Sequence, residues 1–401
     1  MTRGNIAVAQ SGGPTAAINA TLAGVIYGAL ESETKIFGAV NGILGVINND
    51  YTDLLKTFEN EENLKILKTT PSAYLGSCRY KLPDFSIESD VYEKIFDSFE
   101  NKNITMFIYI GGNDSMDTVN KLSEYAKLYN KSVSIIGVPK TIDNDLEGTD
   151  HTPGFGSAAK YVATAVSEIA RDSAVYRDKS ITIVEIMGRN AGWLTASASL
   201  ARSSTSDAPH LIYLPERPLS RKKLIEDVKN CSARNIIIAL SEGVKNEKGE
   251  YFCNMDCLQG HDKFGHSQLS GCGKVVENIL KEEFSVKTRS IELNVLQRCS
   301  SHFSSLADLD ESVQIGKAGA RAVLSGKTGI VMGFSRKSDN SFDILENNAK
   351  DVANLEKKLP DCFIAENGHD VTDKFISYCR PLIMGEPKII TENGIPKHIS
   401  L

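Results

Sequence analysis

The sequence lacks several features that would point to a membrane or to nucleic acid. No apolar run approaches the roughly 20 residues that a membrane-spanning helix requires. Positive charge is not in excess, because 45 lysines and arginines face 51 acids and leave a formal net charge of −6. This balance provides no electrostatic footprint for nucleic acid or for an anionic membrane. We therefore expect neither as a partner.

The eight cysteines lack the spacing of a disulfide framework, which is typical of reduced thiols. The first residues, MTRGNIAVAQ, lead straight into a strand-like segment and leave no room for a signal peptide. Both features predict a cytoplasmic protein. No linker rich in proline, glycine or serine divides the 401 residues, so the two to three units expected from the length should form one compact body.

Short β-branched segments such as NIAVAQ, TMFIYI and SITIVEIM alternate with helical patterns through the first two thirds of the chain. This alternation favours an α/β fold with parallel sheets covered by helices, in which ligands bind at the carboxyl ends of the strands. After about Gly333 the pattern weakens. Residues 335–362 are expected to form a polar loop and helix, with the charged residues 356–358 on a solvated helix face.

Two strand-like segments end in paired glycines, Gly12 with Gly13 and Gly111 with Gly112. Backbone N–H groups at a helix start, with no Cβ in the way, can cradle a phosphate. Ser115 is expected to cap the second helix. A single turn of this kind is more often a plain connection, but two favour phosphate binding. Neither is a Walker loop or a G-x-G-x-x-G dinucleotide loop.

A third strand exit carries Lys140, Thr141, Asp143 and Asp145. Carboxylates clustered beside a lysine suit Mg²⁺ and a phosphoryl group, because one acid can orient a hydroxyl while the cation meets developing charge. The alternative is a solvated, Asp-rich turn. A fourth exit carries Arg189, which could bind a sugar phosphate or form a surface ion pair.

The spacing of Cys253, Cys257, His261 and His266, followed by Cys272, is the best competing signal. It is similar to that of a zinc finger, so a structural zinc site stays open as a minor alternative.

Taken in order, "SGGP", "GGND", "PKTIDND" and "MGRNAG" resemble the signatures of the phosphofructokinase family. The resemblance covers about residues 3–335. It implies two Rossmann-like parallel-sheet layers, one on the donor-phosphate side and one on the fructose 6-phosphate side. Residues 336–401 would then be a C-terminal extension packed on the core. It also implies phosphoryl transfer to the 1-hydroxyl of fructose 6-phosphate, with Mg²⁺ as cofactor.

The resemblance assigns the chemistry to Asp143, Lys140 and Asp114, with Asp143 as the base that accepts the sugar hydroxyl proton. An ordinary carboxylate is ionised at pH 7, so Asp143 is expected to need position more than a raised pKa. The implied donor-phosphate contacts are Gly12, Gly112 and Arg79. The implied sugar-phosphate contacts are Thr141, Ile142, Asp143, Met187, Gly188, Arg189, Glu242, Arg289 and Arg298.

Arg289 matches an arginine that the family provides to a neighbouring subunit, which implies a homodimer or homotetramer with shared active sites. The matching position for a second such arginine falls at Ser180, with Lys179 alongside. This departure leaves the contact between subunits open.

Relatives that use ATP typically have GGDGS where this chain has GGNDS. The carboxylate of Asp114 would repel the α-phosphate of a nucleotide, and Lys140 would stabilise a pyrophosphate leaving group. We therefore predict the pyrophosphate-dependent branch. An ATP-dependent kinase and a non-catalytic sugar-phosphate sensor are the alternatives. Asn113 replaces the usual Mg²⁺-binding aspartate, so the predicted metal ligands are Asn113 and Asp145.

Overall fold

The computed structural model describes residues 4–255, 271–339 and 341–401. Its strands, in chain order, are β1 (Asn5–Gln10), β2 (Ile36–Ala39), β3 (Tyr51–Asp53), β4 (Ile104–Gly111), β5 (Ser134–Pro139), β6 (Ser180–Ile186), β7 (Leu211–Tyr213), β8 (Asn235–Ser241), β9 (Lys287–Glu292), β10 (Ile330–Arg336), β11 (Phe342–Asn348), β12 (Thr391–Glu392) and β13 (Ile395–Pro396).

The α-helices are α1 (Ile18–Glu31), α2 (Ile43–Ile47), α3 (Leu54–Thr57), α4 (Glu61–Thr69), α5 (Asp90–Asn101), α6 (Asn113–Leu128), α7 (Phe155–Ala174), α8 (Trp193–Ala196), α9 (Arg221–Asn230), α10 (Cys272–Glu283), α11 (Leu296–Cys299), α12 (Leu306–Leu324) and α13 (Asp373–Cys379). Short 3₁₀ helices lie at Ser197–Ala201, Phe252–Met255, Ser301–Phe303, Ala349–Asp351, Asp361–Phe363 and Arg380–Ile383. Within the described ranges, no helix is both long and apolar enough to cross a bilayer.

Two sheets form the framework. The first has the order β11-β10-β5-β4-β1-β2-β3, with parallel inner pairs and an antiparallel strand at each edge. The second has the order β7-β8-β6-β9 and is parallel throughout. The predicted α/β fold with two parallel-sheet layers is therefore confirmed. Strands that are buried on both faces, such as the centre of β4, explain why their sequences are continuous apolar runs.

Helices α1 and α12 pack closely on the first sheet because glycines face each other across their contact. A Cβ on Gly24 would collide with Val313 O of α12, and a Cβ on Gly316 would collide with Thr21 O of α1. The close approach of these backbones fixes α12, which comes late in the chain, to the first layer.

The prediction of a polar loop and helix for residues 335–362 is wrong. The segment contains β11, which pairs antiparallel with β10 over the whole of its length. Four of the seven residues of β11 are exposed, since it lies at the sheet edge, so its sequence lacks the apolar character of the central strands. The division of the chain at residue 335 stays a prediction.

Candidate active site

The glycine turn after β1 and the strand exit after β5 meet around one lysine. Lys140 Nζ donates a hydrogen bond to Gly13 O at 2.7 Å, and its backbone N–H donates to Gly111 O at 2.9 Å. Gly12 has φ +77°, and a Cβ there would lie 3.2 Å from Lys140 Nζ. Glycine is required at this turn both by its backbone conformation and by the lysine that fills the space.

Helix α6 starts one residue after the second glycine pair, with Gly112 as its N-cap. The prediction that Ser115 caps this helix is therefore wrong, because Ser115 lies in the first turn, where its hydroxyl donates to Ser11 Oγ at 3.1 Å. Asp114 is also in this first turn, where the helix dipole favours an acid. The N-terminus of α6 lies beside the Lys140 backbone, whose carbonyl oxygen would be 3.7 Å from a Cβ on Gly112.

Lys140 is 2% exposed, so its ammonium group is held in a low-dielectric environment. Burial lowers its pKa to about 8, against the attraction of Asp143 and with a smaller contribution from Arg298. An ammonium in this position is a cation without a bulk-water shell, which strengthens its interaction with an anionic ligand.

The loop after Lys140 places two half-buried carboxylates close enough to influence each other. The backbone N–H of Asp143 donates to Thr141 Oγ1 at 3.1 Å, which fixes the turn. Burial raises the pKa of Asp143, although Lys140 and the Thr141 hydroxyl oppose the shift. Burial and the charge of Asp143 likewise raise the pKa of Asp145. Asp143 therefore combines position with a raised pKa, contrary to the expectation of an ordinary one.

Ile142 and Asn144, which flank Asp143, serve the fold. The Ile142 side chain is 6% exposed and belongs to the hydrophobic core of the second layer, so it offers no side-chain surface to a substrate. Asn144 is fully buried and has φ +53°, a left-handed conformation that an asparagine tolerates better than most residues.

Asn113 has a divided amide environment. Its Nδ2 donates to Leu355 O at 2.7 Å, while its buried Oδ1 has no hydrogen-bond partner among the described residues. An unpaired buried carbonyl oxygen and the loop carboxylate of Asp145 are oxygen donors of the kind that Mg²⁺ prefers. The residues present therefore fit a magnesium ion.

The strand exits of the second sheet form the opposite wall. Gly188 has φ +139°, its N–H donates to Glu242 Oε1 at 3.4 Å, and its carbonyl accepts from Ser241 Oγ at 2.6 Å. The Met187 N–H donates to Gln297 Oε1 at 3.3 Å. The residues that follow β6 are thus hydrogen-bonded to those that follow β8 and to Gln297 of α11.

Charged groups of this wall face Asp143. Burial, followed by the charge of Asp143, raises the pKa of Glu242 to about 7. The Arg189 guanidinium lies close enough to oppose the pKa shifts of both acids. Its Nε is buried and has no hydrogen-bond partner among the described residues, which leaves a donor for a ligand.

Arg298, on α11, brings the two walls together. A Cβ on Gly13 would lie 3.1 Å from Arg298 Nη1, and the arginine charge acts on both Lys140 and Asp143. Lys140 and Asp143 of the donor wall and Arg189, Glu242 and Arg298 of the facing wall therefore share one cleft between the sheets.

Arg79 lies beside the donor wall. It is exposed and lines a groove with Ser77 and Cys78. Since Ser77 Oγ donates to Gly12 O at 2.6 Å, this groove adjoins the glycine turn.

Arg289 is the predicted site residue that one chain does not bring into the cleft. It pairs with Thr182 in the first half of β6, whereas the cleft begins after Ile186, roughly 13 Å further along the strand. Its Nη2 donates to Asp172 Oδ2 at 2.9 Å. It lines a surface groove together with Lys179 and Ser180, the positions at which the sequence departs from the family pattern.

Two contributors were missed from the sequence. Gln297 holds Met187, and Lys357 is a half-buried cation whose Nζ donates to Thr149 O and Asp150 O, both at 2.9 Å. The prediction that residues 356–358 form a solvated helix face is wrong about the helix, since none is present there, and Lys357 is half-buried between its exposed neighbours Glu356 and Lys358. Nothing in the local sequence around Lys357 indicates that its side chain would bond to the loop after β5.

The zinc alternative lies largely outside the described residues, which do not include Cys257, His261 or His266. Cys253 and Cys272 are buried in an apolar cluster of the second layer, and burial raises the pKa of the Cys272 thiol.

Comparison with known proteins agrees with this architecture. The phosphofructokinase family model matches residues 5–308. The chain belongs to the phosphofructokinase family.

Within that family, a pyrophosphate–fructose 6-phosphate 1-phosphotransferase from Xanthomonas campestris pv. campestris is 39% identical, over 100% of this chain and 97% of that protein. One from Halomonas elongata is 36% identical, over 99% and 96%. The crystal structure of a pyrophosphate-dependent phosphofructokinase from Marinobacter aquaeolei superposes with a TM-score of 0.87 at 34% identity, covering 98% of this chain and 95% of that one.

Proposed function

We propose that this chain transfers a phosphoryl group from pyrophosphate to the 1-hydroxyl of fructose 6-phosphate, in a reaction that runs in both directions. The observation that carries the proposal is the buried Lys140 ammonium at the glycine turn, 2.7 Å from Gly13 O, on the same strand exit as Asp143. Relatives with this activity in their names, aligned over nearly the whole chain, support it.

Asp143 acts as the base. Its carboxylate accepts the proton of the sugar hydroxyl, whose oxygen then forms a bond to the terminal phosphorus of pyrophosphate while the bond to the departing phosphate breaks. Lys140 stabilises the charge that develops on that phosphate. A carboxyl group with a raised pKa holds the proton readily and returns it in the reverse direction, which suits a reversible transfer.

Asp114 selects the donor. It stands in the first turn of α6, two residues after Gly112, at the position where relatives that use ATP typically have a glycine. A carboxylate there repels the α-phosphate of a nucleotide, whereas pyrophosphate ends before reaching it.

Asn113 Oδ1 and Asp145 would hold Mg²⁺, which when bound neutralises charge on the oxygens of the transferring phosphoryl group. Arg189, Glu242 and Arg298 bind the sugar phosphate from the facing wall. We assign Arg289 to the sugar site of a second copy of this chain, since it lies outside its own cleft, and so propose a homo-oligomer. The spacing of the cysteines, which lacks a disulfide framework, supports a cytoplasmic location.

The test is the initial rate of fructose 6-phosphate phosphorylation with Mg²⁺, comparing pyrophosphate with ATP at matched concentrations. Turnover with pyrophosphate alone is expected. Turnover with ATP alone would contradict the role of Asp114, and turnover with neither donor would contradict the proposed reaction.

A further inference from the structure

Residues 354–359 run between the two layers and are called the strap below. At the first layer, Asn354 Nδ2 donates to Asp117 Oδ1 at 2.8 Å, and Leu355 O accepts from Asn113 Nδ2 at 2.7 Å. Both partners lie on α6, whose N-terminus faces the cleft. One end of the strap is therefore fixed to the helix that forms the donor wall.

The other end of the strap is fixed to the second layer. Lys357 O accepts a hydrogen bond from Trp193 Nε1 at 3.0 Å, and the Leu359 N–H donates to Glu216 Oε1 at 3.1 Å. Lys357 Nζ also lies 5.0 Å from the centre of the Trp193 ring, within the range of a cation–π interaction. The strap is thus hydrogen-bonded to elements of both walls of the cleft.

Between its ends, the strap holds the loop that carries the two site carboxylates. The Lys357 N–H donates to Asp145 O at 2.8 Å. Lys357 Nζ donates to Thr149 O and Asp150 O, both at 2.9 Å, and to Asn144 Oδ1 at 3.4 Å. Asn144 separates the two acids, so its hydrogen bond to Lys357 holds the loop at a point between them.

We propose that the strap is the element that positions the phosphoryl-transfer residues, with Leu355 orienting the Asn113 amide and Lys357 holding the loop of Asp143 and Asp145. The proposal deepens the proposed function and rests on it for the reaction that is served. Lys357 is a positioning residue, because among the described residues its hydrogen bonds are made to the loop and to Trp193.

The orientation of Asn113 follows from hydrogen-bond chemistry. A backbone carbonyl accepts but does not donate, so the amide must turn its NH₂ group towards Leu355 O and its Oδ1 away from it. An aspartate at this position would set a carboxylate against that carbonyl. Asparagine is therefore the residue that both attaches the strap and leaves an oxygen for a cation.

The first test uses Asn113→Asp, for which two views predict opposite results. If Asn113 were only a weak metal ligand, the added charge would tighten Mg²⁺ binding and leave the strap in place. If it attaches the strap, the variant releases it. Trp193 is the only tryptophan of the chain and contacts the strap, so its fluorescence reports release without any turnover.

We expect the Trp193 emission of Asn113→Asp to shift to longer wavelength, and trypsin to cleave after Lys358 about tenfold faster than in the wild type, since cleavage follows the population of the open form. Asn113→Ala, which removes the donor without adding a charge, should show the same change to a smaller extent. Wild-type fluorescence and cleavage in Asn113→Asp, with tighter Mg²⁺ binding, would overturn the proposal.

The second test compares Lys357→Met with the matched control Lys358→Met, whose side chain is exposed. A misplaced loop is expected to lower kcat about 10- to 100-fold while the KM values for both substrates change little. Lys358→Met should have wild-type kinetics. Melting temperatures identify a folding defect, and a folded Lys357→Met with wild-type kcat would overturn the role of this lysine.

The outcomes separate the strap from the reaction. A wild-type enzyme that does not use pyrophosphate contradicts the proposed function, and the two lysine variants are then compared with the donor that the wild type accepts. Fluorescence and trypsin cleavage are independent of that choice.

Discussion

Raising the pH from 7 to 9 should remove the charge of Lys140 and lower kcat/KM for pyrophosphate about tenfold. Burial lowers the pKa of this lysine to about 8, so the protonated fraction falls from roughly nine tenths at pH 7 to roughly one tenth at pH 9. kcat/KM reports groups of the free enzyme. Bound pyrophosphate, being an anion, raises the lysine pKa again, so kcat should begin to fall only at higher pH.

The expected loss is not a loss of the fold. The pKa of Lys140 is lower in the folded protein than its ordinary value of 10.5. Between about pH 8 and 10.5 the unfolded chain therefore binds more protons at this position, and the contribution of Lys140 to stability rises with pH. A melting temperature measured at pH 7 and at pH 9 separates unfolding from deprotonation.

The control is Lys140→Arg, which keeps its charge throughout this range. The ratio of wild-type to variant kcat/KM at each pH cancels the titration of pyrophosphate itself. The same ratio cancels the titration of Lys357, since burial lowers the pKa of that lysine to about 8 as well. We expect this ratio to fall about tenfold between pH 7 and 9. A ratio that stays constant would show that the charge of Lys140 does not act on the donor.

Three further predictions concern single side chains. Asp143→Asn should lower kcat by about 10²- to 10⁴-fold and leave fructose 6-phosphate binding, measured by calorimetry, near wild type; near-normal turnover would contradict its role as base. Asp114→Gly should strengthen ATP binding and weaken pyrophosphate use, and an unchanged nucleotide affinity would refute the blocking role. Arg289→Ala should raise KM for fructose 6-phosphate with little change in KM for pyrophosphate. If Arg289 serves a second copy, mixing and reassembling Asp143→Asn with Arg289→Ala should give hybrid oligomers whose activity exceeds the sum of the two separate activities. An activity no greater than that sum would refute a shared site.

Much of the site could be predicted from the sequence because its residues follow strands. The carboxyl ends of parallel strands meet at one edge of a sheet, so Gly12, Gly112 and Lys140 were expected to converge once their segments were recognised as strands. The same holds for Arg189 and Glu242 in the second sheet. Local sequence patterns are sufficient to predict such a site because the parallel arrangement of the strands brings their carboxyl ends together.

The strap could not be predicted in this way. Its role depends on the carbonyl oxygens of Leu355, Thr149 and Asp150, which are present in every sequence, and on contacts across more than 200 positions of chain. A lysine among charged residues has the pattern of a solvated surface, and only the fold shows that Lys357 Nζ donates to backbone carbonyls of the loop. The edge strand β11 was missed for a related reason, since most of its side chains are exposed and its sequence therefore lacks the apolar run of a central strand.

Burial determines the pKa shifts of the charged groups in the cleft. Burial raises the pKa values of Asp143, Asp145 and Glu242 and lowers that of Lys140, so each group shifts towards its neutral form. Such shifts reduce the cost of keeping acids and bases together out of water. An anionic donor reverses the shift at Lys140, because a negative charge nearby favours the ammonium form. The lysine thus becomes fully charged when the phosphate whose departure it stabilises is bound, and this coupling depends on its burial behind the glycine turn.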